Sequence, residues 1–351
     1  MKNVLLTCVG RRNYLANYFR EALAGRALVI GTDMSDTAPG LIDCDQQHLV
    51  PGVYTQGYVD QILKLCIENN VGLLVSLNDL ELPVLAAAKA RFAEIGVSVA
   101  ISDIDVIDIC FDKLATHNWL LENGFSSPST YADLNEAMHA IEAGSLSFPC
   151  VVKPRWGSGS IGVFMAHDLD ELRAAHALVQ LQVMRSILST ASQADPQRCV
   201  LVQSTCPGDE YGCDILNNFT GSTQAVVTKQ KLAMRAGETD KSVVRNNPTL
   251  ARLCQSLGDK LGHVGNLDCD IFVNGDELNV LEMNPRFGGG YPFSHVAGAR
   301  FPQALLAWSN EQSFKPDSSL ITFDLPYSKF DTLGRVGDFS LAPPDRRVSN
   351  G

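Results

Sequence analysis

The first 110 residues alternate short apolar runs with amphipathic stretches: Asn3 to Val9, then Tyr14 to Leu23; Ala27 to Asp33; Tyr58 to Asn69; Gly72 to Leu77, then Glu81 to Ile95; Val97 to Ile101. Apolar runs of this length suit strands buried on both faces, and the stretches between them carry apolar residues at helical spacing. The rhythm predicts a parallel sheet covered by helices. The turn after the first run, Cys8-Val9-Gly10-Arg11-Arg12-Asn13, holds one Gly where the dinucleotide-binding G-x-G-x-x-G turn needs three. Arg11, Arg12 and Asn13 stand at the expected helix N-terminus, where they offer either a grip for an anionic group or a solvated surface.

Beyond residue 111 the pattern changes. A helix is expected from Asp112 to Asn123, ended by Gly124 with Pro128 beyond it, and another from Leu134 to Ala143. Cys150 to Pro154 reads as a strand, followed by a Gly-rich stretch over 157–162, the run Val163 to Ala166 and a helical segment from Asp168 to Ala191. Cys199 to Gln203, Tyr211 to Asn217 and Gln224 to Gln230 read as strands, and Leu250 to Leu261 as a helix. Asp268 to Val273 and Leu278 to Met283, separated by Asn274-Gly275, form the clearest hairpin in the chain. At 351 residues the chain suits two or three cores.

Composition removes several functions. No apolar stretch reaches the roughly 18 residues of a membrane helix, and the run Val4 to Val9 is too short for a signal-peptide core, so a cytoplasmic chain is expected. Ten Cys are scattered without C-x-x-C pairs or His at zinc spacing, which predicts reduced core thiols. A net charge of -11 repels a phosphate backbone, so nucleic acid is not expected as a partner. An anionic ligand must be held by a local group of Lys, Arg and backbone N–H groups.

Two stretches supply such groups. Val151-Val152-Lys153-Pro154 followed by Trp156 and Gly157-Ser158-Gly159-Ser160-Ile161-Gly162 puts a Lys at a strand end before a loop whose glycines let N–H groups approach an anion. It is no P-loop, because G-K-[ST] is absent. In Leu281-Glu282-Met283-Asn284-Pro285-Arg286, Glu282 and Asn284 share one strand face, so a carboxylate and an amide oxygen lie side by side as a hard cation requires. For Asp270 to join Glu282 on that face, the hairpin needs a three-residue loop, Val273-Asn274-Gly275, pairing Phe272 with Asp276 and Asp270 with Leu278. A two-residue Asn274-Gly275 turn would put Glu282 on the opposite face.

Phe111-Asp112-Lys113 before a helix, Val151 to Pro154 with its Gly loop, Gly208-Asp209-Glu210-Tyr211, and Leu281 to Arg286 follow one another in the order of the ATP-grasp motifs. The chain resembles single-copy relatives of the carbamoyl-phosphate synthase large subunit, in the carboxylate-amine ligase branch. The resemblance covers about residues 1–310 and implies an α/β and α+β protein. It would have a pre-ATP-grasp parallel-sheet domain over 1–111, a two-subdomain ATP-grasp fold over 112–311 with its hinge near 203–208, and a C-terminal tail over 312–351. It further implies that Lys113 and Lys153 contact ATP phosphates under a loop including Gly157, Ser158, Gly159, Ser160 and Gly162. Gln203, Ser204 and Thr205 would meet adenine, and Glu210 the ribose. Glu282 and Asn284 would ligate Mg²⁺, two ions of it or Mn²⁺ in its place, with Asp270 the third ligand and Asp268 its rival, and Arg286 would stand beside the transferred phosphoryl group. The synthase has two ATP-grasp units and a glutaminase; this chain has one unit and no glutaminase constellation.

What remains of that activity is an ATP- and Mg²⁺-dependent joining of a carboxylate to an amine through an acyl phosphate. An acyl-phosphate former without an amine step and a silent ATP-binding module are the alternatives. Lys231 and Arg235 are candidate catalytic contacts to the small-molecule substrates; Lys229, Gly237 to Asp240, Asn78 to Glu81 and Phe287 to His295 are equally readable as surface. The sequence leaves the acid, the amine and a homodimer open.

Overall fold

The computed structural model describes residues 1–157 and 162–336. Ser158, Gly159 and Ser160, and the tail from 337 on, lie outside the described residues. Strands β1 (Asn3–Thr7), β2 (Val29–Asp33), β3 (Gln46–Leu49), β4 (Val71–Ser76) and β5 (Ser98–Val99) form an all-parallel sheet in the order β3-β2-β1-β4-β5. Val4, Leu5, Leu6, Val29 and Ile30 are fully buried because helices cover both faces. One core gathers around Leu15, Phe19 and Leu23 of the helix Asn13–Leu23, the other around Ile62 and Phe92. The direction of winding reverses between β1 and β4, so the loops leaving their C-terminal ends open a crevice there.

Strands β6 (Thr130–Tyr131), β7 (Cys150–Pro154), β8 (Phe164–Ala166) and β9 (Val200–Ser204) make an antiparallel sheet in the order β6-β9-β7-β8. The helices Leu134–Glu142 and Leu169–Met184 pack on it over Ala137, Leu172, Val179 and Val183. Both are N-capped by Asp side chains, Asp133 and Asp168. The expected helix 168–191 is two, the second being Leu188–Ala191, because Ser186 turns the chain and accepts from Leu188 N at 3.2 Å.

Strands β10 (Asp209–Asn217), β11 (Thr223–Arg235), β12 (Glu238–Val244), β13 (Gly265–Asn274), β14 (Glu277–Asn284) and β15 (Pro326–Ser328) complete the fold as a six-stranded antiparallel sheet, ordered β14-β13-β10-β11-β12-β15. Its back is covered by the helix Pro248–Leu261, whose ends the sequence marks: Asn247 accepts from Leu250 N at 3.0 Å, Pro248 opens the first turn and Gly262 is left-handed at φ 66°. Leu250, Cys254 and Leu257 meet Cys213, Ile215, Cys269 and Ile271 there. The front of the sheet faces β7 and β9.

Two expectations are corrected. Glu238 to Asp240, equally readable as surface, begin β12, since Ala236 and Gly237, both at positive φ, turn the chain back after Arg235. The tail, on whose order the sequence is silent, carries a strand, β15, paired with β12. The β13–β14 hairpin uses neither expected turn: Asn274 pairs with Glu277 around Gly275-Asp276, with Gly275 at φ 60°. All ten Cys are free, eight of them buried. Among the described residues no helix is long and apolar enough to cross a membrane.

Candidate active site

A cleft of about 620 Å³ runs between the two antiparallel sheets and ends against the first domain. Each strand sends alternate side chains into it. From β13 come Asp268, Asp270 and Phe272, from β10 Glu210, from β11 Lys229 and Lys231, and from β14 Leu281, Glu282 and Asn284. Two successive residues of β14 face the cleft because Leu281 is bulged. Asp270 pairs with Glu282 and Ile271 with Val280, so Leu281 is the extra residue and Val280 and Met283 both point to the core. The bulge does what the three-residue loop was expected to do.

One end of the cleft is apolar. Val151, Val163, Met165, Leu188, Phe272 and Leu281 line it together with Gln203 to Cys206, where the chain passes from β9 toward β10. The Gln203 amide points away, donating to Thr130 Oγ1 at 2.8 Å. Next along the cleft stand Lys113, Lys153, Trp156 and Gly157. Lys113 is placed by Asp112, which caps its helix at Leu114 N (2.9 Å) and takes a two-pronged grip from Arg155 at 2.8 and 2.6 Å. Lys113 donates to Gly157 O and lies 3.9 Å from Glu282. Lys153, 6% exposed, has no carboxylate partner among the described residues. Burial, opposed by the charge of Glu282 and reinforced by Lys113, pulls its ammonium down to about 8. Gly162 packs beside Pro154 and Gln182.

The middle of the cleft is a lattice of alternating charge. Lys231 Nζ lies 2.6 Å from Glu210 and 2.7 Å from Asp270. Burial works against its charge, but those two carboxylates outweigh it and hold Lys231 above its ordinary value. Asp270 is lifted to about 7, chiefly by burial, with Lys231 opposing and Asp268, Glu282 and Glu210 adding to it. Glu282 is held below its ordinary value despite burial, by Lys113 and Lys153, and accepts from Asn284 Nδ2 at 3.3 Å. Gly212 gives the two lysines their space, because a Cβ there would stand 3.3 Å from Lys231 Cε and 3.7 Å from Lys229 Cε.

Beyond this lattice Arg286 bridges two domains. It donates to Asp268 and to Asp79, each at 3.0 Å, while its Nε is buried with no hydrogen-bond partner. Asp79 comes from the loop after β4, so the crevice of the parallel sheet and the front of the six-stranded sheet share one guanidinium. Lys229 is sealed against Asp214, which also accepts from Asn266 Nδ2 at 3.1 Å and from Ser294. Arg12, Glu238, Thr239, Gly289 and Gly290 form the far wall.

Oxygen donors from Asp270, Glu282 and Asn284 on neighbouring strand positions suit a hard cation. No three of the described His, Cys, Asp and Glu side chains could hold a metal by themselves. An ion here needs further oxygens, as Mg²⁺ shared with a phosphate chain does.

The structure does not bring Arg235 into this group. It is the last residue of β11, past the cleft-lining Met234, and pairs outward with Asp240 at 2.9 Å and Asp331 at 2.6 Å. Glu81 is fully buried behind the crevice, accepting from Thr7 at 2.7 Å, Tyr58 and Ser76. His295 stacks on Tyr18 at 3.5 Å. Sequence reasoning missed the apolar lining residues Met165, Leu188 and Phe272; two-residue alternation from Asp268 and Asp270 would have found Phe272. It also left Arg12 undecided.

Residues 4–100 match the model of the PylC-like N-terminal domain, and residues 110–290 that of the ATP-grasp domain. Among solved structures, the biotin carboxylase domain dimer of Hydrogenobacter thermophilus 2-oxoglutarate carboxylase, in complex with MgADP, ADP and bicarbonate, superposes with a TM-score of 0.71 at 14% identity, over 93% of this chain and 73% of that one. An L-amino acid ligase from Bacillus licheniformis gives 0.69 at 19%, over 95% and 82%. N5-carboxyaminoimidazole synthetase from Staphylococcus aureus complexed with ADP gives 0.67 at 13%, over 89% and 78%.

Proposed function

The chain belongs to the ATP-grasp family, and from that premise we propose that it is an ATP- and Mg²⁺-dependent ligase, which activates a carboxylate as an acyl phosphate and joins it to an amine. The observation that carries the reading is the pair Lys153 and Lys113: two ammonium groups converge in one cleft, the first buried with no carboxylate partner among the described residues, so the cleft is built for a polyanion. ADP bound in the synthetase and carboxylase neighbours supports a nucleotide as that anion.

Adenine enters the apolar end, against the backbone of Gln203, Ser204 and Thr205, and Glu210 accepts from the ribose hydroxyls. Lys113 and Lys153 hold the phosphates. Glu282, Asn284 and Asp270 would hold Mg²⁺, which would supply charge neutralisation at the γ-phosphoryl group. Asp270 is preferred to Asp268 as the third ligand, because it lies directly across the ladder from Glu282, although each carboxylate already has a cation on it, Lys231 and Arg286 respectively. Lys231 keeps Asp270 and Glu210 apart in charge and position.

Arg286, whose Nε–H has no partner, is the donor assigned to the acid. A carboxylate oxygen attacks the γ-phosphorus and ADP leaves; the amine nitrogen then attacks the carbonyl carbon and phosphate departs with the carboxylate oxygen. Little covalent chemistry falls to the protein, so positioning and charge complementarity dominate the rate.

The test is isotopic. With ¹⁸O in the carboxylate, one labelled oxygen should appear in inorganic phosphate for each amide formed, alongside ADP. Pyrophosphate, or label in AMP, would refute the acyl phosphate. ADP release that needs the acid but no amine would favour the simpler acyl-phosphate former.

A further inference from the structure

At the far end of the cleft one guanidinium stands without a carboxylate among the described residues. Arg286 is paired by Asp79 and Asp268, and Lys229 by Asp214. Arg12 lies in the loop after β1 and donates to Leu77 O in the loop after β4, across the crevice of the parallel sheet. Among the described residues it has no carboxylate partner within 4.0 Å. A guanidinium carries five N–H donors, so most of its fork is uncommitted, and its plane matches a carboxylate.

Glu238 lines the same wall from the first position of β12. Gly289 leaves space for it, since a Cβ there would stand 2.8 Å from the Glu238 carboxyl carbon. Its Oε2 accepts at 3.2 Å from Lys329, on the segment just past β15. Burial works to raise Glu238, but Lys329, Arg12 and Arg11 outweigh it and keep the carboxyl below its ordinary value. Glu238 is therefore ionised and half exposed to the cleft, with an ammonium already on it. Between these charges the Tyr14 hydroxyl is buried without a hydrogen-bond partner, its charged neighbours being Arg12, Glu238 and Arg286. A purely anionic ligand would meet Glu238, and a purely cationic one would meet Arg12. One molecule carrying both charges satisfies both.

Resting on the ligase reading, we propose that one of the two substrates is an amino acid, its carboxylate held by Arg12 and its ammonium by Glu238, where it takes over from Lys329. Groups gripped in this way are withheld from reaction. The acid or amine that reacts is then a separate group, on the same molecule or on the co-substrate.

The experiment measures thermal shifts of the full chain with MgADP, adding in turn the standard amino acids, their decarboxylated amines and their desamino acids, and in parallel ADP release from MgATP. The expected result is a stabilisation with particular amino acids and not with the corresponding amines or desamino acids, and ADP release with such an amino acid alone where it carries the reacting group, or together with a second acid or amine where the co-substrate carries it. Arg12→Gln and Glu238→Gln should each raise the half-saturating concentration at least about tenfold, as for loss of one partner of a close charge pair. The MgADP shift in each variant reports an intact fold. Lys329→Met, outside the cleft wall, should lower that concentration by releasing Glu238. Turnover supported equally by simple carboxylates and amines, and unmoved by Glu238→Gln, would overturn the amino-acid assignment and leave the ligase reading standing. No response to any acid or amine would overturn both.

Discussion

Asp270 lies directly across the β13–β14 ladder from Glu282, and the Leu281 bulge is what puts it there. The Gly275-Asp276 turn, continued regularly, would pair Asp270 with Leu281 and send Glu282 into the core beside Cys254 and Leu257. One extra residue reverses that outcome. Glu282→Gln should therefore lower kcat at least about a hundredfold, as expected when a charge serving the transition state is removed, while circular dichroism stays unchanged. Activity near wild type in that variant would remove Glu282 from the site.

Lys153 is where stability and activity are opposed. Its ammonium titrates near 8 in the folded chain, below its ordinary value of 10.5, because it is buried. Below pH 8 the folded state holds a charge it disfavours. Between about 8 and 10.5 the unfolded chain binds the extra proton, so wild-type stability rises with pH there. Lys153→Met should thus be more stable at neutral pH, by on the order of 3 kcal/mol at most, and lose that advantage as pH climbs to 10.5. The same variant should not turn over. Denaturant titrations across that range decide the sign.

Arg286 ties the first domain to the six-stranded sheet. Arg286→Ala strips Asp79 and Asp268 of their guanidinium within a buried setting, a change worth roughly 3–5 kcal/mol. A lowered Tm together with faster proteolysis between residues 100 and 112 is expected. An unchanged Tm would mean that the two domains are held by other contacts.

Gly288 sits where a side chain has no room. A Cβ there would fall 2.0 Å from Asp268 Oδ2, so Gly288→Ala must push Asp268 off Arg286. The expected cost is about 1–3 kcal/mol, with turnover falling alongside it. Crystals of the variant would show Asp268 displaced; an undisturbed Asp268–Arg286 pair would refute the argument.

Local periodicity carried the first domain, and short motifs carried Lys153 and the Leu281 to Arg286 run, because each is a matter of residues near one another in sequence; Lys113 came only with the resemblance to the ATP-grasp motif order. Arg12 lining one wall with Glu238, and Asp79 meeting Arg286, could not be read that way. They depend on how a loop after β1 or β4 meets a sheet whose residues lie far along the chain, as Arg286 lies 207 positions beyond Asp79. The Leu281 bulge is hidden for another reason: nothing in Val280-Leu281-Glu282 differs from a regular strand, and only the competition between turn and core decides it. Arg235 failed because a strand's last residue can turn either way, and Asp331, far along the chain, drew it outward.

Strand β15 has a consequence for solubility. It is three residues long, opens with Pro326, and occupies the side of β12 that would otherwise present unpaired N–H and C=O groups. A proline-blunted strand cannot template another chain as a seven-residue open edge can. Residues 326–328 therefore act as a stopper against self-association: a chain cut before Pro326 should keep its cleft lysines and carboxylates, yet join other copies of itself edge to edge through β12.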